Sequence, residues 1–303
     1  MASFRGHRRR KRQNSHFRHE IDDLVRGVCG GFLFGVPLLY TMEIWWLGSS
    51  ASPSRLLAVL LITLVVVYLL SRTAGFRKLK ATKEEEAIAD AIEAVAIGLV
   101  CAALTLIILR QITLETRLSD SMGKIIFESV PFSLGVALSN QFLGDSDSSS
   151  SDQPDQAAPP SLSERFFPEG NLNETIADLG ATLIGAVIIA FSIAPTDEVT
   201  VLVASVENSW LILTVMGSLA LSYGIVFQAD FTQQGQRRLQ SGLFQDPLGE
   251  TLFSYLISLI AAALMLGFFG QISFSTPWDL AFREIIILGL PATVGGAAGR
   301  LAL

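Results

Sequence analysis

Eight apolar runs follow one another along the chain, at roughly 22–47, 55–75, 87–112, 120–143, 174–203, 210–230, 248–272 and 279–303. About 20 apolar residues in a helix cross the hydrocarbon core of a bilayer, so each run predicts one spanning helix. The breaks carry turn chemistry: Gly48 to Pro53, the basic Arg77-Lys78-Leu79-Lys80, Glu207-Asn208-Ser209, Gln233-Gln234-Gly235 and Ser275-Thr276-Pro277. The long break, 144–172, holds Asp145-Ser146-Asp147, four serines from Ser148 to Ser151, Pro154 and Pro159-Pro160. Such a segment has too little apolar surface to pack and reads as a disordered, acidic and serine-rich linker.

Composition agrees with this pattern. Of 303 residues half are apolar and only 17% charged, and the mean hydropathy is +0.48, which excludes an ordinary soluble domain. The fold class expected is all-α, a polytopic transmembrane bundle of about eight spans. The first run is too long for a signal-peptide core and leads into Trp45-Trp46 instead of a cleavage site, so it reads as the first span. Cys29 and Cys101 both lie in apolar runs and read as reduced packing residues.

The distribution of charge sets an orientation. Lys and Arg crowd the first twenty residues and return at Arg72, Arg77, Lys78, Lys80, Lys83, Arg237 and Arg238. Basic residues stay on the cytoplasmic side of short loops and tryptophan prefers the interface. Both rules are met by cytoplasmic termini in the inner (plasma) membrane, with Trp45, Trp46, Trp210 and Trp278 at the outer surface. The basic tail then reads as a topology anchor on the lipid and not as a nucleic-acid arm.

An internal duplication divides the chain. Shifted by 155, residues 21–76 match 176–231 with 14 identities in 56 positions; shifted by 160, residues 86–143 match 246–303 with 15 in 58. Shared apolar composition alone would give about 10%. The organisation expected is a basic cytoplasmic tail (1–20), a first four-helix repeat (21–143), the cytoplasmic linker (144–172) and a second four-helix repeat (173–303). Four spans per repeat make the repeats parallel, related by a pseudo-twofold axis along the membrane normal.

Ionisable residues within spans mark function by default. Glu43 and Glu198 hold equivalent places, in Thr41-Met42-Glu43 and Thr196-Asp197-Glu198, each near a proline, Pro37 or Pro195. A proline within a span releases the carbonyl four residues back, here Leu33 and Phe191, and freed carbonyls beside a carboxylate suit a dehydrating cation. With Thr41, Thr196 and Asp197 these form the expected outer site. Asp90 and Glu250 are the equivalent acids at the inner ends, with Glu93 one turn beyond Asp90; an acidic mouth attracts cations. The competing account for all of them is ordinary: acids favour helix N-termini and snorkel to water. Pro131 and Pro291, followed by Gly135/Gly295 and Ala137/Ala297, are expected to break or closely pack their helices, as a contact between halves or between subunits of a homo-oligomer. Glu128, three residues before Pro131, has no acidic counterpart in the other half.

All three histidines lie in the tail, at His7, His16 and His19, and no P-loop, zincin or hydrolase motif occurs. No enzyme and no cofactor is expected. The expected function is a cation-selective channel or ion-coupled transporter for a monovalent or divalent cation. The alternatives are a non-transporting scaffold or sensor, and a carrier of a small organic cation held by aromatic rings near Tyr40, Trp45 and Trp46. At Gly35-Val36-Pro37-Leu38-Leu39-Tyr40-Thr41-Met42-Glu43-Ile44-Trp45-Trp46 and Phe191-Ser192-Ile193-Ala194-Pro195-Thr196-Asp197-Glu198 the chain resembles a bacterial family of integral membrane proteins of unknown function. The resemblance implies membrane residence and brings no activity or site residue with it.

Overall fold

The computed structural model describes residues 3–73, 84–143, 171–237 and 247–301; the linker falls outside them except for its last two residues, 171 and 172, which begin a helix. They form ten helices and no strand. In chain order these are α1 (Ser3–Leu39), α2 (Met42–Ser49), α3 (Pro53–Thr73), α4 (Glu84–Ile108) and α5 (Leu118–Leu143), then α6 (Asn171–Ile193), α7 (Glu198–Ser205), α8 (Asn208–Arg237), α9 (Pro247–Phe268) and α10 (Trp278–Leu301).

Six of them, α3, α4, α5, α8, α9 and α10, are each long and apolar enough to cross a membrane alone. The other two apolar runs are not single helices as expected. Residues 22–47 divide between α1 and α2, which meet at 91°, and 174–203 divide between α6 and α7, which meet at 88°. The reason lies in the local sequence. Pro37 sits in the last turn of α1, which ends two residues later, and Pro195 follows the end of α6 at Ile193. Proline cannot donate to the next turn, and each short helix then restarts on a Thr-x-Glu sequence. Pro131 and Pro291, by contrast, lie inside α5 and α10, which continue through them, so these two prolines do not end their helices.

Close approach of helices organises the bundle. In lipid there is little hydrophobic drive between helices, so tight van der Waals contact at small residues holds them. Gly30 of α1 lies against the backbone of Gly135 and Ser139 of α5, and a Cβ at Gly30 would collide with both. Gly185 of α6 meets Gly295 and Gly299 of α10 in the same manner. The Gly135 and Gly295 stripes therefore seat α5 on α1 and α10 on α6. This corrects the expectation that they join one half of the chain to the other. Phe32 and Phe132 close the first crossing edge to face, with centroids 5.7 Å apart.

The reversals after α4 and α9 use the same chemistry. Arg110 and Gly270 take positive φ, and the N–H groups of Gln111 and Gln271 reach back to the carbonyls of Leu106 and Leu266, at 2.8 and 2.9 Å. This is the left-handed helix end that satisfies the last carbonyls of α4 and α9. The N–H groups of Thr113 and Ser273 then donate to the hydroxyls of Thr116 and Thr276, at 2.9 and 3.0 Å. The identities Gln111/Gln271 and Thr116/Thr276 are thus identities of turn geometry.

Candidate functional site

The two bends carry the outer acids. Thr41 is the N-cap residue of α2 and Asp197 that of α7, and neither side chain bonds the helix it precedes. Glu43 lies in the first turn of α2 and is exposed, whereas Glu198 opens α7, is 8% exposed, and has one carboxylate oxygen buried without a hydrogen-bond partner. Thr196 donates from its hydroxyl to the Ile193 carbonyl at 2.6 Å and closes the end of α6; Asp197 is exposed. No hydrogen bond or ion pair joins Glu43 to Glu198. α2 rests on α5 and α7 on α10, so the two acids occupy separate places.

The short helices are seated differently. Gly48 of α2 packs directly on the backbone of Gly123 of α5. At the corresponding positions the second half has Val203 and Arg283, and the Arg283 guanidinium donates to the carbonyls of Val203 (3.1 Å) and Val206. It thereby caps the C-terminal end of α7, where carbonyls lack helical partners and a cation is favoured.

The inner acids are engaged by arginine. Glu250 of α9 accepts from Arg300 of α10, which also lies 3.9 Å from Asp178 of α6. In the first half Arg26, 2% exposed, donates to Asp23 at 2.9 Å. This corrects the reading of Glu250 as an open inner cation site, since its charge is already met. Asp90 is buried and Glu93 half-buried on α4. Among the described residues no three His, Cys, Asp or Glu side chains gather as a metal site.

The aromatic cage expected for an organic cation does not form. Tyr40 is buried and donates its hydroxyl to the Ile287 carbonyl of α10 at 2.5 Å; Trp45 is buried, and Trp46 turns outward, 63% exposed. Two further carboxylates are buried among the described residues. Glu284 of α10, not singled out in the sequence, is buried with one oxygen unpartnered, and Glu128 of α5 has no exposed surface and no hydrogen bond to either oxygen. Glu284 was visible as an acid six residues into a span; its counterpart Lys124 concealed it from a search for matched acids.

A helical bundle with six to eight apolar crossings and buried carboxylates defines the class, a multi-pass integral membrane protein. The chain belongs to the family described as "Putative integral membrane protein (DUF2391)", whose model matches residues 23–303. No match is found among curated proteins or among solved structures.

Proposed function

We propose that the protein is an ion-coupled membrane transporter for a cation, built of two parallel four-span repeats with both termini in the cytoplasm of the cell's inner membrane. One observation carries this reading. Helices bent by 91° and 88° stand at corresponding places in the two halves, each with a glutamate in the first turn of its short helix, and Glu198 is buried with an unpartnered oxygen. Paired interrupted helices are the best pointer to the ion or substrate site of a repeat-built transporter.

The parallel arrangement has support of its own. The α4–α5 reversal meets the α7–α8 junction: Gln111 bonds Ser205 at 3.1 Å, Arg110 pairs with Glu207 at 3.5 Å, and the Arg110 guanidinium lies 5.2 Å from the Trp210 ring. Parallel repeats put both segments on the outer side, whereas inverted repeats would separate them. A non-transporting scaffold draws on a different observation, the exposed Glu43 at a helix N-terminus, where a carboxylate is stabilising without any ligand. Cation flux into proteoliposomes separates the two. The transporter reading expects flux above empty vesicles, lowered at least tenfold by Glu198→Gln and less by Glu43→Gln; background flux for sodium, potassium, calcium and protons alike favours the scaffold.

A further inference from the structure

α5 is the central helix of the first half, in contact with α1, α2, α3 and α4. Glu128 lies ten residues into it, about 15 Å from its start, which is half the depth of a hydrocarbon core about 30 Å thick. It has no exposed surface, and neither carboxylate oxygen has a hydrogen-bond partner. The obvious counter-ion is turned elsewhere: Lys124, one turn away, donates its ammonium to the Gln111 carbonyl at 3.0 Å. The indole of Trp45, on α2, interacts with the carboxylate but falls short of a well-formed hydrogen bond.

Charged groups on the packed helices lie off this level. α1 meets Phe132, one turn from Glu128, at Gly35, and Arg26 and Asp23 are nine and more residues back, about 14 Å or further. α4 meets Ser133 at Gly98, so Glu93 and Asp90 lie about 8 to 12 Å toward the other end from that contact. On α3, Arg55 and Arg72 stand near the two ends, and Glu43 of α2 is exposed. An ionised carboxylate in such a place has neither water nor a counter-charge, and the neutral acid is the form that can be buried there.

We propose that Glu128 is a proton-binding site, covered by Trp45 of α2, and that the proton is the ion this transporter couples to. The second clause rests on the transport reading; the first does not. A proton needs one oxygen and no added volume, whereas a dehydrated metal ion needs several oxygen ligands around it. Pro131 supplies a further polar group nearby, because it leaves the Phe127 carbonyl without its usual helical donor. The counterpart in α10 is the Ile287 carbonyl freed by Pro291, which the Tyr40 hydroxyl fills. α2 is suited to act as the cover: it is eight residues long, hinged at the 91° bend, with Trp45 and Gly48 buried on α5 and Glu43, Trp46 and Leu47 exposed. Displacing α2 would let the carboxyl give up its proton to water and take one back.

The test uses the full chain, wild type and Glu128→Gln, in which the amide keeps the size and removes the titratable group. Infrared spectra of the purified protein near neutral pH are expected to contain a protonated-carboxyl C=O band that is missing in Glu128→Gln and moved in Glu128→Asp; spectra without that difference overturn the proton site. Proton influx into proteoliposomes under an imposed pH gradient, followed with an entrapped pH dye, reads the coupling. Influx above empty vesicles that Glu128→Gln abolishes supports it, and influx unchanged in the variant overturns it. An infrared band with no proton influx in the wild type leaves the site standing and overturns the proton coupling, while the transport reading is overturned only if sodium, potassium and calcium fluxes are at background as well.

Discussion

At the scale of single residues, backbone geometry and unpaired polar groups decide what can be changed. Gly270 has φ +74 and open space where a Cβ would project, so Gly270→Ala should cost about 1 kcal/mol, all of it from the left-handed backbone. Thermal unfolding in detergent reads this, and a neutral result would sink the account. Arg110 bears the same geometry without being glycine, at φ 55. Its partners, the exposed Glu207 and the half-buried Trp210, are together worth only about 1 kcal/mol, so Arg110→Gly should come out near neutral. Tyr40→Phe removes the donor to a buried carbonyl that Pro291 has already deprived of its helical partner. That should cost about 1–3 kcal/mol, and much less in a Pro291→Ala background, where a main-chain N–H is restored to Ile287. A double-mutant cycle with equal costs in both backgrounds would dismiss the link between the proline and the hydroxyl.

At the scale of elements, the helix crossings dominate. Gly30→Val would drive a branched side chain into the backbone of Gly135 and Ser139 and should cost at least about 3 kcal/mol, while Gly180→Ala, with nothing near its Cβ, should be tolerated. Comparable loss of folded protein for both would mean that α1 and α5 do not meet at these glycines. Arg300→Gln leaves Glu250 and Asp178 without their cation. Glu250 keeps some contact with water, so the cost should be about 2 kcal/mol, below that of a fully buried pair, and should be relieved by adding Glu250→Gln. The sequence made the glycines visible as matched small residues but not their partners. Spacing along one helix says which face is small, and only the packed bundle says which helix that face meets.

At the scale of the whole molecule, the proposed parallel arrangement predicts sidedness. Cys29 and Cys101 are buried and free, so single cysteines can report against a quiet background. Ser50→Cys and Ser209→Cys, both exposed, should react with an impermeant thiol reagent from the outer side, and Arg72→Cys only from the cytoplasmic side. Labelling of Ser50→Cys and Ser209→Cys from opposite sides would refute the parallel repeats. Membrane residence and an all-helical chain with several apolar crossings were legible in the sequence, because hydropathy is a property of order along it. Tertiary structure decided the rest. It bent two apolar runs by nearly a right angle, met Glu250 with an arginine fifty residues away, left Glu43 in solvent while burying Glu198, and enclosed Glu128 without a counter-charge. The physical reason is that the cost or use of a charge depends on what surrounds it, and those surroundings come from segments far apart in sequence.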